Sequence, residues 1–174
     1  MIPLSYAQRR LWFLHRVDPG TAYNVAFTLR VRGAVDPDAL RAALGDLADR
    51  HEMLRTTFPE HDGEPFQQIL SEVRPSLGLV SCTADELDGV LDELAGHVFD
   101  LGAEIPLRAH LVAVGTTEYR LFLLLHHIAA DGSSLRPLIG DLTEAYRARS
   151  AGSAPDWEPL AVQYADYTLW QQDV

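Results

Sequence analysis

An α/β architecture, a mixed β-sheet covered by helices, follows from three features of the sequence. The unbroken apolar run Leu121–Leu125 is short and ends in a small-residue turn, which marks a strand buried on both faces. Val25, Phe27, Leu29 and Val31 alternate with Ala26, Thr28, Arg30 and Arg32, the pattern of a half-buried strand. Between the strand segments lie stretches with helical stripes, Leu40, Leu44 and Leu47 in one and Leu135, Leu138, Ile139, Leu142 and Tyr146 in another. Hairpins mixed with crossover helices imply layered α/β packing, and 174 residues suffice for one domain with a sizeable core.

The elements follow in order. Ser5 can cap a helix over 6–16, with Ala7, Leu11 and Leu14 at helical spacing and Trp12 and Phe13 adding apolar bulk. Asp18-Pro19-Gly20 is a turn, and the alternating strand comes next. Asp36 and Pro37 open a second helix whose face carries Leu40, Leu44, Leu47 and Leu54, with His51 on the same stripe. Arg50 and Glu52 read as surface charges near its end, where a basic residue suits the helix dipole. Thr56–Phe58 and Phe66–Leu70 flank His61-Asp62-Gly63, a hairpin signal. Residues 76–81 form another strand, and Thr83 with Glu86 makes a capping box before the stripe Leu87, Val90, Leu91, Leu94 and Val98. Leu107–Val114 and Tyr119–Leu125 pair as a hairpin across Gly115-Thr116-Thr117. Ser133 and Ser134 can cap the helix beginning at Leu135. Gly152–Pro159 is a polar loop, and a last helix from about Ala161 carries Tyr164, Tyr167, Leu169 and Trp170.

Composition narrows the function. Hydrophobic residues make up 47% of the chain, which argues for a globular protein. A formal net charge of -11 argues against binding nucleic acid or an anionic membrane through bulk charge. The single cysteine, Cys82, cannot close an intrachain disulfide, which fits a reducing cytoplasm, and it reads as a small packed residue. Arginines stand in Met1–Leu14 where a signal peptide has its apolar core, and no apolar run approaches the about 20 residues of a membrane span.

The chemistry concentrates in Leu121–Gly132, LFLLLHHIAADG. His126 and His127 stand at the end of a core strand, with Asp131 and Gly132 in the turn into the next helix. Successive strand residues point to opposite faces, so the two histidines do not converge on one metal ion, and no cysteine or second carboxylate lies at ligand spacing. A lone histidine at a strand end is usually a satisfied polar group. Two adjacent ones with Asp131 behind them allow a division of labour: one faces inward and holds the turn, and the other faces a cleft and handles a proton near neutral pH.

HHIAADG resembles the HHxxxDG motif of the condensation domains of non-ribosomal peptide synthetases, which share the chloramphenicol acetyltransferase-like fold. Three further stretches resemble the family's motifs in the same order: SYAQRRLWFL at 5–14, RHEMLRTTF at 50–58 and YADYTLWQ at 164–171. One departure is Ser133, where family members commonly carry tryptophan. The resemblance implies an N-terminal lobe over 1–174, with the C-terminal lobe absent and the histidine motif facing the tunnel between lobes.

It also implies an activity. An amine on an acceptor peptidyl carrier protein attacks the thioester of a donor acyl group on another, both held on phosphopantetheine arms, so that the domain needs no cofactor of its own. His127 would position or deprotonate the attacking amine, or steady the charge at the tetrahedral intermediate. His126 would be buried behind it, Asp131 structural, and Gly132 would permit the tight turn and close substrate approach. Asp131 is expected to be a buried carboxylate held by backbone amides or by an arginine. Arg55 is the candidate by resemblance, and an arginine of the absent lobe is its rival. The related epimerisation domain, and a condensation-like module that recruits a partner without catalysis, are the alternatives. The chain alone is expected to fold but not to catalyse, and to self-associate at high concentration through surface normally covered by the other lobe, with Trp12, Tyr167 and Trp170 as candidates.

Overall fold

The computed structural model describes residues 1–116 and 118–173, with the side chain of Asp173 outside that description. The predicted turn at 115–117 therefore lies partly outside the described residues. The chain runs β1 (Ile2–Pro3), α1 (Tyr6–Val17), β2 (Asn24–Arg32), α2 (Pro37–Arg50), a single 3-10 turn (Glu52–Arg55), β3 (Thr56–Thr57), β4 (Glu60–His61), β5 (Glu64–Ile69), β6 (Leu77–Cys82), α3 (Leu87–Ala95), β7 (Leu107–Val114), β8 (Glu118–His126), α4 (Leu135–Ser150) and α5 (Tyr164–Asp173).

The main sheet has the order β2-β8-β7-β6. β8 is antiparallel to both β2 and β7, and β6 runs parallel to β7, so the sheet is mixed as the sequence implies. Because β8 lies inside the sheet, every residue from Leu121 to His126 is buried. Its two faces feed different cores. Leu121, Leu123 and Leu125 pack with Leu40, Leu44 and Leu47 of α2 and Leu138 and Leu142 of α4. Phe122 and Leu124 pack on the opposite side with Phe58, Phe99 and Ile128, and with Leu11 and Trp12 of α1 and Leu91 and Leu94 of α3. Period-2 geometry turns one apolar run into the partition between two cores.

Local chemistry explains the element ends. Ser5 and Gln8 form a reciprocal capping box on α1, and the Asp36 carboxylate accepts from the amides of Asp38 and Ala39 at the start of α2. Asp62 (φ 52°) and Gly63 (φ 83°) form the two-residue turn between β4 and β5. α2 and α4 are pinned together by ion pairs between Arg149 and Asp46 and between Arg50 and Asp141 (2.9 Å).

Several expectations need correction. On α1 the fully enclosed positions are Gln8 and His15; Leu11 of the expected stripe packs half-buried on the second core beside Trp12, and Ala7 is exposed. Leu54 is buried but lies in the 3-10 turn, since α2 stops at Arg50 with His51 as its C-cap. Arg50 is not a solvated charge: beyond Asp141 it donates to the Glu158 carbonyl and stacks over Trp157, 4.7 Å from the ring centroid. Glu52 likewise pairs with Arg55 rather than with water alone. Of Thr83 and Glu86, only half of the box forms: the Glu86 carboxylate takes the Thr83 amide and hydroxyl, both at 2.8 Å, and Glu86 itself is the N-cap of α3. Val98 lies beyond α3 and is exposed.

Gly78 faces His110 across the β6–β7 pair, and a Cβ placed there would collide with the imidazole ring. Gly78→Ala should destabilise the chain by about 1–3 kcal/mol. Adding His110→Ala should recover much of that loss, read by chemical denaturation of the single and double variants.

Candidate functional site

His126 closes β8 and His127 is the first residue beyond it, and the structure separates them sharply. His126 is fully buried, whereas His127 is exposed. The backbone amide of His127 donates to the Tyr23 carbonyl at 2.8 Å, and that of Ile128 donates to Nδ1 of His126 at 3.1 Å. His126 is thus turned inward, where its ring meets His15 edge-on at 5.0 Å and Phe99 at 6.0 Å between centroids. Burial, helped by the neighbouring His15 and His127, lowers its pKa from 6.5 to about 4, so it is neutral at physiological pH.

His127 opens into a cavity of about 370 Å³. α1 supplies one wall with Ala7, Gln8, Arg10 and Leu11. Tyr23, Met53, Tyr164 and the turn 128–131 supply the rest. Gln8 holds that wall in place, donating to the Met53 sulfur at 3.3 Å and accepting the Ser5 amide at 3.0 Å. The Tyr164 hydroxyl lies 2.9 Å from Ser5 Oγ, which joins α5 to the cap of α1. The sequence names Tyr164 as a helix residue and as the start of a family-like stretch but gives it no place at the site, and it assigns no role to Gln8, His15 or Tyr23. The i, i+7 spacing of Gln8 and His15 is the one signal that puts both on a single helix face.

The Asp131 turn departs from expectation in three ways. First, Asp131 is exposed rather than buried. Its Oδ1 accepts the hydroxyls of Ser133 (2.6 Å) and Ser134 (2.8 Å) and the amides of both, each at 3.0 Å. Those hydroxyls, then the amides, hold its pKa down to about 2. The serines therefore serve Asp131 and do not cap α4: Ser134 is the N-cap residue, but its side chain makes no capping bond. Second, Arg55 does not reach Asp131. Its guanidinium donates to the Leu70 carbonyl and to Glu52 (3.1 Å), a local contact that closes the 3-10 turn. Third, Gly132 has no left-handed φ, and a Cβ there would meet open space, so the turn itself does not require glycine. Among the described residues no group of three His, Cys, Asp or Glu side chains is arranged to hold a metal ion.

The Condensation domain family model matches residues 1–174, and the chain belongs to that family. Its relatives include a probable non-canonical nonribosomal peptide synthetase, CymA, of Salinispora arenicola. That protein is 54% identical over 175 residues, covering 100% of this chain and 2% of the relative. The isonitrile lipopeptide synthase of Mycobacterium tuberculosis is 51% identical over 99% of this chain and 7% of its own length. Among solved structures, the X-domain in complex with OxyB from teicoplanin biosynthesis matches with a TM-score of 0.94 at 40% identity, covering 99% of this chain and 38% of the other. The fold is the chloramphenicol acetyltransferase-like one. The chain thus spans a small fraction of these synthetases and under half of that domain. No described helix is long and apolar enough to cross a membrane.

Two outcomes follow from this geometry. His126 binds a proton below about pH 4 when folded and near 6.5 when unfolded, so the unfolded chain holds more protons between those values. Its contribution is complete above pH 6.5 and is lost as the pH falls towards 4, by up to about 3 kcal/mol. Denaturation midpoints across that window should fall with pH, and His126→Asn should flatten the slope. Asp131→Ala should cost about 1 kcal/mol, the scale of a lost cap, not the about 3–5 kcal/mol of a broken buried pair. Asp131→Asn should cost less, and Arg55→Ala should leave the Asp131 turn unchanged by NMR shifts.

Proposed function

We propose that the chain is the N-terminal lobe of a two-lobe condensation domain that forms an amide bond between carrier-bound substrates. The observation that carries this reading is the exposed His127 lining a cavity just past a strand buried from Leu121 to His126, in a chain of this family. The amine nitrogen of the acceptor attacks the thioester carbon of the donor. The C–N bond forms, the C–S bond breaks, and the donor arm leaves as a thiol. An imidazole at the cavity wall can take the ammonium proton that develops on the attacking nitrogen and return it to the leaving sulfur. Both substrates arrive on phosphopantetheine arms of peptidyl carrier proteins, so the lobe supplies a surface and a proton acceptor rather than a cofactor. His126, neutral and enclosed, supports the backbone on the far side. Asp131, Ser133 and Ser134 hold the turn that leads from His127 into α4.

The second lobe would complete the tunnel. Without it nothing fixes the thioester against His127, and losing that orientation forfeits roughly 7–11 kcal/mol of barrier lowering. The exposed aromatic residues Tyr167 and Trp170, ring against ring at 5.9 Å, suit a face that another lobe covers. Trp12 does not belong to that face: its indole donates to the Phe58 carbonyl at 3.2 Å and packs on the second core.

A recruitment module is the second reading, favoured by the likeness to an X-domain found in complex with OxyB. One assay separates the two. Donor-loaded and acceptor-loaded carriers are supplied to the protein that carries this chain, and to its His127→Ala variant. Condensation should fall by roughly 10²- to 10⁴-fold in the variant, with an unchanged melting temperature. Near-normal turnover in the variant would remove His127 from the chemistry. No amide product from the unaltered protein would favour recruitment, and exchange of the α-proton without amide formation would favour epimerisation.

A further inference from the structure

Behind the site, two imidazoles are left with complementary unpaired nitrogens. Nδ1 of His126 accepts the Ile128 amide, so in the neutral ring the proton sits on Nε2, which is buried and has no partner. Nε2 of His15 lies 2.8 Å from the Phe99 carbonyl, an oxygen that can only accept, so that nitrogen carries the proton. Nδ1 of a neutral His15 is then a bare acceptor, and it too is buried without a partner. One ring offers a donor, the other an acceptor, and the two meet at 85° with centroids 5.0 Å apart. An N–H···N bond of about 3 Å fits within that separation after a small ring rotation. Buried polar groups are almost always paired.

We propose that His15 is a positioning residue for His127, acting through a direct hydrogen bond from His126 Nε2–H to His15 Nδ1. The bond completes a chain from the Phe99 carbonyl, through His15 and His126, to the Ile128 amide. Ile128 follows His127 directly, so the chain fixes the peptide on its C-terminal side, while the Tyr23 carbonyl fixes its own amide. His15 also lies on α1, the helix whose Ala7, Gln8, Arg10 and Leu11 wall the cavity. The contact ties the wall of the cavity to the residue that works in it. The kinetic consequence rests on the amide-forming reading above, whereas the hydrogen bond does not.

The two parts are tested separately in the protein that carries this chain. With ¹⁵N-labelled histidine, NMR should show His126 as the Nε2–H tautomer, with a scalar coupling across the bond from its Nε2 to Nδ1 of His15. An Nδ1–H tautomer of His126, or no coupling, overturns the bond. For the role, His15→Phe keeps a ring of similar size but removes both nitrogens, while His15→Gln keeps one donor and one acceptor. His15→Phe should lower kcat roughly tenfold or more, as expected for a misplaced catalytic group. KM for both loaded carriers should stay within about twofold, since the wall residues are unchanged, and His15→Gln should restore most of kcat. A merely structural His15 would lower the melting temperature of both variants while leaving kcat at wild-type level well below it, and that result overturns the positioning role. If coupling is present but the unaltered protein forms no amide, the bond stands and the amide-forming reading is what has failed; if His127→Ala condenses normally, the bond stands and His127 has no role for His15 to support.

Discussion

β8 carries two cores at once, and the rest of the structure depends on that constraint. A strand inside a mixed sheet must satisfy its backbone on both edges, which β2 and β7 do, and must bury side chains on both faces. Leu121, Leu123 and Leu125 take one side, and Phe122 and Leu124 take the other. The next residue on the second side is His126, which explains why a polar ring ends up enclosed by Phe99 and His15. The strand then runs out of partners, and the first residue beyond it, His127, reaches solvent. Burial of His126 thus follows from the pleat, and exposure of His127 from the end of the strand.

Around this strand the site is held by polar contacts between distant parts of the chain. Ser5, Gln8, Met53 and Tyr164 come from the start, middle and end of the sequence and meet at one wall of the cavity. Gln163 adds a brace, accepting the Glu52 amide at 3.2 Å and donating to the Arg50 carbonyl at 2.9 Å. α5 is in this way anchored to both α1 and the end of α2. The cavity is shaped by apolar side chains such as Leu11 and Ile128 together with the polar contacts of Gln8 and Tyr164 that tie its wall together.

The sequence made β8, the hairpins and the stripes of α2 and α4 legible because each rests on a local period or a turn residue with one mechanism. The hairpin at Asp62-Gly63 needs two left-handed residues, and its two-letter signature reads directly. The same logic failed at α1, where Gln8 and His15 are the enclosed positions: a polar face looks solvated until its partners, Met53 and the Phe99 carbonyl, are brought in from afar. It failed again at Asp131. A carboxylate between a core strand and a helix looks buried in sequence, yet the turn lifts it to the surface, where the hydroxyls and amides of two serines satisfy it. Arg55 could not be assigned in advance because its partners, Glu52 and the Leu70 carbonyl, are set by the tight turn after α2.

The parity of β8 also bears on how this chain can vary in length. Losing or gaining one residue between Leu121 and Leu125 would move the leucines that follow it to the opposite face, and would shift both histidines by one place along the chain. Gaining one would carry His126 out of its enclosed place, and losing one would carry His127 into it. The tip at Asp62-Gly63 stands apart from both cores and from the cavity, so chain length can change there while the strand keeps count. Two identical side chains, side by side, owe their different surroundings to the strand ending between them.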